Sequence, residues 1–188
     1  ALETSFKTEE LYGSILSAAQ HRYSSNINTI VDSSKSLFYL IYLHQTSIDL
    51  RVIHLIRDGR GVVHSLDKRD DTWIKPLLNW VGGTALSKLF LSRHMKEQHY
   101  LTLSYKQFAK KPMETLQKCN EAFELDVPNN FLEVVNGTTY HNFSGNELRK
   151  KTLKEIYYDD SWREEMASWK QCILTTLCYV PNKVWLQD

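Results

Sequence analysis

The sequence predicts an α/β protein, a parallel sheet with flanking helices. Two observations carry this. Short apolar runs at 28–32 (NTIVD), 52–56 (VIHLI) and 100–104 (YLTLS) have the length and β-branched content of buried strands. Each gives way to residues with apolar spacing of helical period, so strand and helix alternate three times. Such alternation implies parallel strands and right-handed crossovers. With 188 residues the chain is read as one domain, 1–188.

In order, residues 4–22 carry Phe6, Leu11, Ile15, Leu16 and Ala19 at helical spacing, with Thr8, Glu9 and Glu10 as the start. The strand at 28–32 ends in Asp32-Ser33-Ser34-Lys35 and passes into an aromatic-rich helix over 36–46. The central strand at 52–56 turns through Arg57-Asp58-Gly59-Arg60-Gly61, and a helix begins at 62–66. Residues 70–80 contain Pro76, Trp73 and Trp80 and read as a loop leading into a helix. Gly82-Gly83 interrupts that helix, which continues over 84–98. The strand at 100–104 ends at Tyr105 and Lys106. Pro112 opens a helix over 113–124, where its missing N–H costs nothing. A short helix is expected at 129–136 and a polar loop at 137–151. The last helix, 160–180, is capped by Asp160 or Ser161 and stopped by Pro181.

Composition excludes several function classes. Hydrophobic residues are 42% and charged residues 24%, ordinary for a globular chain. A net charge of +1 gives no bulk reason to expect nucleic acid, so any basic site is local. No apolar run reaches the ~18 residues of a membrane helix, and residues 1–20 do not read as a signal peptide. Cys119, Cys172 and Cys178 are sparse and odd in number, which fits thiols in a reducing compartment better than a disulfide framework. None has zinc-site spacing, and the lone His141 has no second ligand near it, so no metal is expected. Two glycosylation sequons, at Asn136 and Asn142, matter only in a secretory lumen.

The centre of the chain is RVIHLIRDGRGVVHSLD, residues 51–67. A strand that ends in Arg and turns through Gly into a helix is a ready anion site, because helix N–H groups and the positive dipole end point at the strand's C-terminal edge. Gly61 and Ser65 are four apart and share one helix face. Arg57 and Ser65 can therefore grip one phosphate. The plainer alternative is that Arg57 is an ordinary ion-pair partner and Ser65 is only solvated. The strand ends at Asp32 to Lys35, at Arg57, and at Tyr105 with Lys106 are expected along one sheet edge, where open α/β sheets bind ligands.

Arg57, with a Ser eight residues on after an apolar strand and a Gly turn, resembles the 3′-phosphate-binding motif of sulfotransferases, enzymes with a P-loop-NTPase-like topology that use 3′-phosphoadenosine-5′-phosphosulfate (PAPS). YLTLSYKQFAKKPMETL (100–116) and HNFSGNELRK (141–150) resemble the same family in the same order. The resemblance implies transfer of a sulfuryl group from PAPS to a hydroxyl of a carbohydrate, lipid or small molecule, with no metal. It implies Arg57 and Ser65 on the 3′-phosphate, Arg149 as a third ligand, Tyr105 near the nucleotide, Lys35 neutralising charge near the transferring group, and Asp32 as general base. Against these stand Arg149 as a solvated loop cation, Asp32 as a helix cap, and Tyr105 as a core residue. The family's 5′-phosphosulfate loop has no counterpart before Asp32, where Gly13 is the one glycine. The expectation is an N-terminally incomplete domain. Two alternatives remain: a P-loop kinase-like phosphotransferase, weakened by the missing Walker sequence, and a non-catalytic nucleotide- or glycan-binding relative.

Overall fold

The computed structural model describes residues 2–24, 26–70, 72–137 and 156–186. The chain divides into two compact units, Ala1–Arg51 and Val52–Asp188.

In the first unit, helix α1 spans Leu2–Arg22 and helix α2 spans Leu37–Leu43. Helix α1 begins before Thr8, so Thr8 lies inside it and its hydroxyl bonds the Tyr42 hydroxyl at 2.7 Å instead of capping. Ser36 caps α2 by accepting from Tyr39 N–H. The unit is joined mainly by polar contacts. Tyr12 of α1 donates to Asp32 at 2.6 Å and bonds the Tyr39 hydroxyl at 2.9 Å, and Glu9 accepts from the backbone of Ser47. Leu43 is the one buried apolar side chain among the described residues of this unit. The strand expected at 28–32 does not form; these residues have no regular structure. A strand needs a ladder partner to hold its backbone polar groups, and here none pairs with it. Val31, 89% exposed, shows that the apolar run is not buried either.

The second unit holds two strands among the described residues, β1 (Val52–Ile56) and β2 (Tyr100–Ser104). They pair in parallel, Val52 opposite Tyr100 and Ile56 opposite Ser104. Arg57 and Tyr105, each one residue further on, therefore leave the sheet at the same edge. Strand β1 is only half covered: Ile56 is buried, whereas Ile53 and Leu55 share one face and are exposed.

After β1 come helix α3 (Gly59–Asp70) and helix α4 (Ile74–His94). Helix α4 is continuous through Gly82-Gly83, where an interruption was expected. Two glycines cost a helix about 1 kcal/mol each, and the buried Leu77, Trp80, Thr84 and Leu91 on either side hold it regardless. Strand β2 passes directly into helix α5 (Tyr105–Lys110), which the sequence reading did not anticipate; Ser104 caps it through Gln107 N–H. The chain then bends at Lys111, and Pro112 opens helix α6 (Pro112–Phe123) as expected. Helix α7 spans Phe131–Gly137. The loop expected at 137–151 lies almost wholly outside the described residues, as do Arg149, His141 and the sequon at Asn142.

The expected last helix is two, α8 (Trp162–Glu165) and α9 (Ser168–Leu186). They break at Met166, whose N–H still bonds the Trp162 carbonyl, and the Gln171 side-chain amide donates into the carbonyls of Trp162, Arg163 and Met166 around the break. Ser161 stands at the start of α8 without a side-chain cap bond. Pro181 does not stop α9. Asn182 bonds Asp58 and the Gly59 N–H, and Trp185 packs edge-on against Trp80 at 5.3 Å. These anchors beyond the proline keep the chain helical despite its missing N–H.

The core lies where α3, α4, α8 and α9 meet, around Val63, Leu77, Trp80, Trp162, Met166, Leu174 and Cys178. At its margin a Lys170–Asp67 ion pair joins α3 to α9, and a His64–Glu165 hydrogen bond joins α3 to α8. Leu174 is fully buried, so Leu174→Ala should cost about 2–5 kcal/mol in urea unfolding. Val180→Ala, on the exposed side of the same helix, should stay within about 0.5 kcal/mol.

Candidate functional site

The site is built from the turn between β1 and α3. Asp58 is the capping residue of α3: its Oδ1 accepts from Arg60 N–H at 2.9 Å, and its carbonyl accepts from Val62 N–H. Helix α3 therefore starts at Gly59, earlier than its apolar spacing indicates. The same carboxylate takes the Arg60 guanidinium at 2.6 Å and the Asn182 amide at 3.0 Å. Burial pushes its pKa up, but these hydrogen bonds and the Arg60 charge outweigh burial and hold it below the usual carboxylate range. The free N–H groups expected at this helix end are thus partly engaged already, Gly59 by Asn182 and Arg60 by Asp58. An anion here must rely more on side chains than the sequence suggested.

Arg57 is fixed at both ends. Trp80 Nε1 donates to its carbonyl at 3.1 Å. Its guanidinium lies over the Tyr105 ring, 5.0 Å from the centroid. It also pairs with Asp159 at 2.8 Å. Two glycines make room. A Cβ on Gly59 would stand 2.5 Å from the Trp80 ring, which has no room to shift in the core. A Cβ on Gly61 would stand 3.1 Å from Arg57 Nε and 3.4 Å from Trp162 Cδ1. Gly61 thus lets the guanidinium lie close against α3. Ser65, one turn along the same face and half-buried, makes no side-chain hydrogen bond to the described residues.

The structure brings Arg57 and Tyr105 into contact and sets Gly61 and Ser65 on the helix face beside Arg57. Tyr105 has Tyr158 as a ring neighbour at 5.9 Å. Asp32 and Lys35 belong to the first unit. Asp32 ends no strand, so the expected row of three strand ends is reduced to two. Its carboxylate accepts from Tyr12 and from Ser34 N–H, and the Tyr12 bond foremost holds its pKa below the ordinary value. Burial, and after it the same contact, pushes the Tyr12 phenol up. Lys35 is exposed with φ of 59°, the left-handed region that non-glycine residues seldom adopt. Arg149 lies outside the described residues.

Sequence reasoning missed Asp58, Asp159 and Asn182. Asp58 carried a signal, an Asp directly before the helix start. Asp159 and Asn182 carried none, because each reaches the turn from more than 100 residues away. Trp162 is buried in the core, with the Arg60 and Arg163 guanidiniums over its ring at 4.4 and 4.7 Å. Among the described residues no cluster of His, Cys, Asp and Glu is placed to hold a metal, and no helix is long and apolar enough to cross a membrane.

No protein-family model matches the chain, and no curated protein does. Two solved structures are similar in fold. One is a sulfotransferase domain from the curacin biosynthetic pathway, with a TM-score of 0.59 and 15% identity over 89% of this chain and 66% of that one. The other is a sulfotransferase domain from the Synechococcus PCC 7002 olefin synthase, with a TM-score of 0.62 and 17% identity over 87% of this chain and 62% of that one. The chain has the α/β fold of these domains and spans less than two thirds of their length.

The lowered pKa of Asp58 has a signed consequence. Its folded value lies below the unfolded ~3.9, so the contribution to stability is complete above about pH 4 and drains as pH falls toward the folded value. At neutral pH Asp58→Asn should lose on the order of 1–3 kcal/mol, since Arg60 is left without its carboxylate. In urea unfolding from pH 7 down to pH 2, the gap between the two proteins should narrow below about pH 4.

Proposed function

We propose that this chain forms part of a sulfotransferase that moves a sulfuryl group from PAPS to a hydroxyl on a carbohydrate, lipid or small molecule. The observation that carries the proposal is Arg57. It sits at the carboxyl end of a parallel strand, flat against a glycine of the following helix, with Ser65 one turn along the same face. A planar fork beside a neutral hydroxyl suits the 3′-phosphate of the donor. The likeness to sulfotransferase folds supports the reading.

Sulfuryl transfer asks for an in-line nucleophile, neutralised charge and a base for the acceptor's proton. In this reading Arg57 and Ser65 bind the 3′-phosphate, Arg149 assists, and Tyr105 supports Arg57 from beneath its guanidinium plane and borders the nucleotide. Lys35 neutralises charge on the moving group. Asp32 is the base candidate, and a weak one while Tyr12 donates to it, because that bond stabilises the carboxylate relative to the protonated acid it must become on taking the acceptor's proton. The cosubstrate is PAPS, and no step calls for a metal.

Binding of adenosine 3′,5′-bisphosphate, followed by calorimetry, tests the 3′ grip alone and asks nothing of a 5′-phosphosulfate loop. Arg57→Ala removes a charge-assisted contact and should weaken binding about ten- to a hundredfold; Ser65→Ala removes a neutral one and should weaken it about two- to tenfold. Adenosine 5′-phosphosulfate, which lacks the 3′-phosphate, should be nearly indifferent to both changes. Equal losses for the two ligands in Arg57→Ala would make Arg57 a structural residue and overturn the proposal.

A further inference from the structure

Arg57 already holds an anion. Its Nη2 carries two hydrogens, and its acceptors are both on one residue, Asp159 Oδ2 at 2.8 Å and the Asp159 carbonyl at 3.2 Å. Nε and Nη2 are also the two Arg57 atoms closest to Gly61, which is buried beneath them. A phosphate taken by the guanidinium fork needs two parallel donors, and Asp159 engages Nη2, one of the nitrogens that supply them. Asp159 is itself tethered. Its Oδ1 accepts from Ser161 N–H at 3.2 Å, and the next residue, Trp162, is locked in the core. Among the described residues, Asp58 does not compete for this edge, being engaged by Arg60 and Asn182.

We infer that Asp159 is an affinity-determining residue of the anion site, an internal ligand with which an incoming 3′-phosphate must exchange. This rests on the nucleotide reading of Arg57 given above. The physical content is a difference of two similar terms. Bound phosphate gains a charge-assisted pair with Arg57 only as the carboxylate gives one up, and until the carboxylate withdraws, two like charges share one cation. Observed affinity is therefore the intrinsic affinity reduced by the fraction of molecules in which Asp159 holds Arg57.

Calorimetry on the whole chain with adenosine 3′,5′-bisphosphate and with adenosine 5′-monophosphate tests this in the wild type, Asp159→Asn, Asp159→Ser, Arg57→Ala and the Arg57→Ala/Asp159→Asn double variant. Both Asp159 variants should bind the bisphosphate about tenfold tighter, leave the monophosphate unchanged, and have no effect when Arg57 is absent. A readout in the wild type itself needs no variant to fold: the ¹³C carboxyl resonance of Asp159 should shift as bisphosphate is added, because its cationic partner leaves. If Arg57→Ala abolishes the preference for the 3′-phosphate but Asp159→Asn binds no tighter, or the carboxyl resonance stays put, Asp159 only positions Arg57 and the inference falls while the nucleotide reading stands. If Arg57→Ala leaves the preference intact, the nucleotide reading falls and takes the inference with it.

Discussion

The second unit depends on one carboxylate. Asp58 stands where β1 stops and α3 starts, nearly buried, and satisfies three groups at once: a helix N–H, a guanidinium and an amide 124 residues further along. Without those partners a carboxylate so placed would be costly to ionise. With them, it fixes the sharp turn that throws the Arg57 side chain to the sheet edge. It also draws the far end of α9 onto the turn, where Trp185 meets Trp80. Strand, first helix, last helix and candidate site are thus joined at a single residue.

Where signals were local, the sequence was legible. The strands at 52–56 and 100–104, the Gly turn and the helix opened by Pro112 follow from composition and spacing within a few residues. Tertiary forces decided the rest. The run at 28–32 resembles the other two in composition, but a strand exists only by pairing, and pairing is not written in five residues. Gly82-Gly83 and Pro181 are local breakers overruled by anchors on either side of them. Helix α5 was hidden because Ser104 serves as both the last strand residue and the cap. At the site, Arg57, Ser65 and Tyr105 stood out by position relative to strand ends. Asp159 could not, since an acid in a patternless segment acquires meaning only when the fold delivers it to a guanidinium 102 residues away.

Among the described residues, each guanidinium around the turn is answered by a carboxylate, Arg60 by Asp58, Arg57 by Asp159 and Arg163 by Asp160. A site without large excess charge attracts ligands weakly over distance and discriminates at contact. Shape then carries the selection: a planar fork laid against a glycine, and one hydroxyl.

The unbroken helix α4 leaves room for improvement in an unexpected place. At neither Gly82 nor Gly83 would an added methyl group meet another atom within 4 Å, and neither residue has a positive φ. Both glycines thus widen the ensemble of the unfolded chain while giving the folded one nothing that alanine would withhold. A sequence drifting toward greater heat resistance could therefore begin in the middle of α4 without touching the turn, the core or the anion grip.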